Sequence, residues 1–86
     1  MSKYYTVGIV EDELIERQAL RMIMEEKRPV LQIAFEAGDG NSALEMAKQY
    51  RPDILIVDIQ IPECTGLELC QKLREEGYAG LIIIST

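Results

Sequence analysis

The chain has 86 residues, room for one small domain spanning residues 1–86. Its hydrophobic fraction of 48% supports a packed core and excludes a disordered segment, and no apolar run approaches the roughly 20 residues of a membrane span. The net charge of −6 argues against nucleic-acid binding by this chain, because phosphate contact needs a basic face.

The start, Met1-Ser2-Lys3-Tyr4, carries no apolar signal stretch, so the cytoplasm is the default location. There is no histidine, which removes the commonest general base. Cys64 and Cys70 lack zinc-site spacing and read as ordinary thiols.

In chain order, the first apolar run, Tyr5 to Val10, predicts a strand. Residues 14 to 27 then place Leu14, Ile15, Ala19, Met22 and Ile23 on one helical stripe, expected to face inward. A second strand is predicted over Leu31 to Glu36, followed by a helix over 42 to 50 with Ala43, Leu44, Ala47 and Tyr50 inward. Ser42 and Glu45 fit a capping box at its start. Strands are predicted over Ile54 to Asp58 and Leu81 to Thr86, and within them Ile54–Val57 and Leu81–Ile84 are continuous rather than alternating runs, as in strands covered on both faces of a parallel sheet. Between them residues 66 to 76 place Leu67, Leu69, Cys70 and Leu73 inward, and Gly77 ends the helix. Pro29, Gly38, Gly40, Pro52 and Gly80 punctuate the connections, with no repeat or linker. The order β-α-β-α-β-α-β, with right-handed crossovers, predicts a doubly wound α/β parallel sheet. Functional groups in such sheets gather beyond the carboxyl ends of the strands.

Two of those strand ends are acidic. The first runs into Glu11-Asp12-Glu13 and the third ends on Asp58. If the strands are neighbours, Glu11, Asp12 and Asp58 converge, and their mutual repulsion is relieved by a proton or by a cation. Several carboxylates with room for water suit Mg²⁺. One of them is then placed to act as a nucleophile toward a phosphoryl group. Taken singly, Asp12 or Glu13 reads more simply as a helix cap, and Asp58 as a turn former. It is the pairing of two acidic strand ends that carries the argument.

The stretches "VGIVEDE" (7–13), "EAGDGNSALEMA" (36–47), "DILIVDIQIPECTGLELCQKLR" (53–74) and "LIIIST" (81–86) resemble the receiver domain of bacterial two-component response regulators. In that family an aspartate ends the third strand, with a proline four residues later and a glycine eight residues later, as Asp58, Pro62 and Gly66 do. Ile61 stands where methionine is frequent. The resemblance implies a flavodoxin-like sheet of order 2-1-3-4 and phosphorylation of Asp58 by a partner sensor histidine kinase. It implies Mg²⁺ held by Glu11, Asp12, Asp58 and the backbone carbonyl of Gln60. It also implies a switch hydroxyl at Thr86, with Ser85 as the alternative.

Family members continue into a further helix, a fifth strand ending in a lysine, and a last helix. Lys3, Lys27, Lys48 and Lys72 all fall in other elements, so slow or short-lived labelling is expected of these 86 residues. The fourth strand is then expected to be an unpaired apolar edge that drives self-association. A DNA-binding output domain would belong to a longer parent protein. The chain is expected to be no enzyme beyond its own phosphorylation and dephosphorylation. Two other readings stay open. One is a receiver-like interaction or dimerisation module without the phosphoryl chemistry. The other is a Mg²⁺-dependent phosphatase, disfavoured because Gln60 stands where such enzymes carry a second aspartate.

Overall fold

The computed structural model describes residues 3–85. The elements run β1 (Tyr5–Val10), α1 (Leu14–Glu25), β2 (Leu31–Ala37), α2 (Gly40–Tyr50), β3 (Ile54–Asp58), β4 (Gln60–Ile61), β5 (Cys64–Thr65), α3 (Gly66–Glu75) and β6 (Leu81–Ser85). Four strands pair in parallel in the order β2-β1-β3-β6, which is the expected 2-1-3-4 order with β6 as the fourth long strand. The two short strands, absent from the sequence reading, form a separate antiparallel pair around Pro62 and Glu63.

One face of the sheet is covered except at the β6 edge, where Ile82 and Ile84 are only partly buried. Val10, Phe35, Ala37, Leu55 and Val57 pack against Ala43 and Ala47 of α2, Leu69 and Leu73 of α3, and Tyr78. Small residues set the spacing there: Ala43 and Ala47 let α2 approach the strands. A Cβ on Gly8 would lie 2.5 Å from the Phe35 ring, so that glycine makes room for the aromatic side chain. The buried Tyr78 hydroxyl donates to the Pro52 carbonyl at 2.6 Å, so burying the ring leaves no orphaned polar group.

The α1 face differs from expectation. No residue of α1 is buried, and Leu14, Ile15, Met22 and Ile23 are exposed, Ile15 by 80%. The helix packs chiefly on β2 and β1. It is tied there by a bidentate contact in which Arg21 Nε and Nη2 donate to Glu36 at 2.7 and 3.1 Å. The half-buried face of α1 is instead that of Arg17, Leu20, Arg21 and Met24, and Leu81 and Ile83 of β6 are exposed as well.

Helix ends also shift. α2 starts at Gly40, because Asp39, not Ser42, is the cap: its Oδ1 accepts from the Ser42 amide at 2.7 Å. The reciprocal capping box instead opens α3, with Glu68 N donating to Thr65 Oγ1 at 3.1 Å and Thr65 N to Glu68 Oε1 at 2.8 Å. Gly77 follows the end of α3 at φ 89, a left-handed position that glycine adopts without a Cβ penalty. Leu67 and Tyr50, expected inside, are exposed. Among the described residues no helix is long and apolar enough to cross a membrane.

Candidate functional site

β1 and β3 are neighbours in register, Val10 facing Val57, so their carboxyl ends are level. The chain leaves β1 with one more ladder bond, Glu11 N to Ala37 O at 2.9 Å. Side chains alternate along a strand. Glu11 therefore follows Val7 and Ile9, and Asp58 follows Ile54 and Ile56, onto the α1 face. The first turn of α1 brings Glu16 to the same place. Carboxylate oxygens of Glu11, Glu16 and Asp58 all lie within 4.8 Å of one another. Asp12 is outside that trio. It lines, with Asp58, Gln60, Pro62 and Cys64, an adjoining cleft of about 510 Å³.

Glu11 is the unusual member, a carboxylate only 4% exposed. Its Oε2 accepts from the Glu13 amide at 3.1 Å. Burial raises its pKa from 4.5 to about 7; the Glu13 bond opposes the rise, and the charges of Asp58, Glu16 and Asp12 add to it. The mutual repulsion expected from the sequence is thus present but ranks below desolvation. Near neutral pH this group is poised between holding a proton and giving it up to a cation. The donor set is entirely hard oxygen apart from Cys64, whose thiol burial keeps protonated, and that composition fits Mg²⁺.

Gly66 is a packing glycine. It is the buried first residue of α3, where a Cβ would sit 2.6 Å from the Asp58 carbonyl oxygen. Its amide donates to Ile59 O at 2.7 Å. The helix therefore begins directly against the backbone that carries Asp58. Gln60 is exposed in β4, opposite Thr65. Ser85 lies opposite Asp58 in the sheet, and its carbonyl accepts from Ile59 N at 2.9 Å. Thr86 lies outside the described residues.

Sequence reasoning missed three contributors. Glu16 was legible in principle, as an acidic residue in the first turn of the helix that follows an acidic strand end. Arg17 donates through Nη1 to the Glu11 carbonyl at 2.7 Å, which pins the peptide of the buried acid. Glu63 binds Asn41, a contact across 22 residues that no local pattern announces.

Residues 7–86 match the response regulator receiver domain family. The chain belongs to that family. The transcriptional regulatory protein YdfI of Bacillus subtilis is 34% identical over 93% of this chain and 37% of its own length. The nitrate/nitrite response regulator NarP of Escherichia coli is 33% identical over 95% of this chain and 38% of its own length. The chain therefore spans little more than a third of these relatives. Among solved structures, the response regulator domain of Thermotoga maritima CheB superposes with a TM-score of 0.86 at 26% identity, covering 94% of this chain and 59% of that one. The parallel sheet and its flanking helices are thus the receiver fold.

Proposed function

We propose that this receiver domain accepts a phosphoryl group on Asp58 from a sensor histidine kinase in a Mg²⁺-dependent reaction. The observation that carries the reading is the convergence of Glu11, Glu16 and Asp58 within 4.8 Å at the carboxyl end of β1 and β3, beside a cleft lined by Asp12 and Gln60.

Asp58 is the nucleophile because it combines a rigid strand end with access to that cleft. An Oδ attacks phosphorus as the bond from phosphorus to the donor's imidazole nitrogen breaks, and the imidazole leaves with that electron pair. Glu11, Asp12, Asp58 and the Gln60 carbonyl would hold Mg²⁺, which neutralises charge on the transferred oxygens when bound. Glu11 has to surrender its proton for that, so cation binding at neutral pH releases a proton. Arg17 keeps the Glu11 peptide in place through the 2.7 Å bond to its carbonyl. The assigned switch residue is Thr86, with Ser85 as the alternative. The protein acts in the cytoplasm as a signalling module, catalysing at most its own phosphorylation and dephosphorylation.

The exposed apolar residues Ile15, Met22, Leu81 and Ile83 support a second, compatible role in self-association. Intact-mass measurement after exposure to a small phosphodonor tests the first role: a Mg²⁺-dependent gain of one phosphoryl group, lost in Asp58→Asn, supports it. A label that persists in Asp58→Asn rejects it.

A further inference from the structure

Glu63 has φ 83, in the left-handed region that side chains with a Cβ rarely adopt. Glycine would sit there without strain, so something must hold the glutamate. Asn41, in the first turn of α2, supplies both contacts: its amide donates to Glu63 Oε1 at 2.8 Å and its Nδ2 donates to Oε2 at 2.7 Å. The neighbouring residue joins in, with Gly40 N donating to the Pro62 carbonyl at 3.1 Å. A Cβ on Gly40 would lie 2.5 Å from Cys64 Sγ, so the hairpin and the helix end are in direct contact. The amino end of α2 favours a negative charge, and Glu63 shares that place with the capping carboxyl of Asp39, which lies against it.

We propose that Glu63 is a positioning residue: through Asn41 it clamps the β4–β5 hairpin onto the amino end of α2, and so fixes where Gln60 stands beside the carboxylate cleft. Pro62 and Cys64 flank Glu63 and line the cleft, whereas Glu63 does not line it. Its influence therefore passes through the backbone of the hairpin, where Gln60 pairs with Thr65 and Ile61 with Cys64. The proposal rests on reading the cleft as the cation and phosphoryl site. It adds that the geometry of the site depends on a contact made on the far side of the loop.

The test uses Glu63→Gly, Asn41→Ala and the double variant. Glu63→Gly removes the clamp and the backbone strain together, so its urea midpoint should hold or rise. Its Gly40 amide should exchange hydrogen faster while the amides of Leu55 and Val57 do not. Mg²⁺ titration, followed by NMR, should show a dissociation constant about tenfold higher, the lower end of the loss expected when a supporting contact behind a metal ligand is removed. Asn41→Ala should match it, and the double variant should be no weaker than either single one. An unchanged dissociation constant in Glu63→Gly overturns the proposal, whatever the exchange shows, and so do additive losses. A wild-type chain that binds Mg²⁺ but takes no phosphoryl group rejects the phosphoacceptor reading, leaving the clamp decided by the ratio of dissociation constants. A wild-type chain that binds no Mg²⁺ rejects both.

Discussion

Replacing Glu11 by glutamine should stabilise the protein at alkaline pH and leave it unchanged in acid. In the folded chain the Glu11 carboxyl has a pKa of about 7, against 4.5 for an unperturbed glutamate. Between those two values the folded state holds a proton that the unfolded state has released. Its stabilising effect is fully present below pH 4.5, declines as pH rises, and is lost above pH 7. The gap corresponds to about 3 kcal/mol. Glutamine keeps the shape, keeps an acceptor for the Glu13 amide and never ionises, so it escapes that loss. With a urea slope of about 1–2 kcal/mol per molar, the variant's midpoint should exceed the wild type's by about 2 M at pH 8 with a chelator present. The two should coincide near pH 4.5. Added Mg²⁺ at pH 8 should then raise the midpoint of the wild type alone, by the ordinary linkage between binding and folding. Parallel midpoint-against-pH curves for the two proteins would refute the reasoning, since they would mean that Glu11 is not a strained, buried acid.

Other outcomes follow from the same geometry. Asp12→Asn should weaken the Mg²⁺ dependence of labelling without abolishing it, as measured by labelling rate against Mg²⁺ concentration. Gly66→Ala should cost about 1–3 kcal/mol in urea unfolding and slow labelling, because its Cβ would meet the Asp58 carbonyl at 2.6 Å. Tyr78→Phe should cost about 1 kcal/mol by orphaning the Pro52 carbonyl, with labelling unchanged. Sedimentation at micromolar concentration should show association of the wild type that weakens when Ile15 and Ile83 are made polar.

The sheet was legible because all four long strands are apolar-rich and two of them, at Ile54–Val57 and Leu81–Ile84, are continuous apolar runs. Once β1 and β3 are placed side by side, in-register pairing of Val10 with Val57 brings Glu11 and Asp58 level. The Gly77 helix end was legible for a local reason, the left-handed conformation it supplies. What escaped depends on where elements sit against one another. The Leu14–Ile23 stripe has helical period, but period gives a face and not a partner, and α1 is drawn by Arg21 and Glu36 toward β2. Asp39 and Ser42 are both good caps three residues apart, and only the backbone decides between them. Glu63 acts through Asn41, 22 residues away in sequence, whereas Glu16 carried a local signal in the first turn of the helix that follows an acidic strand end. Spacing located Gly66 but not its reason: its small size matters because α3 starts against the Asp58 backbone. The choice between Thr86 and Ser85 stays a proposal, Thr86 lying outside the described residues.

The central claim is that Asp58 is the phosphoryl acceptor of a Mg²⁺-dependent site. The most direct measurement is the intact mass of the wild type and of Asp58→Asn after incubation with a small-molecule phosphodonor, with Mg²⁺ or with a chelator. The account predicts a gain of one phosphoryl group in the wild type with Mg²⁺ only, and none in Asp58→Asn under either condition. A wild-type chain whose mass never changes, or a gain that survives the substitution of Asp58, would contradict it.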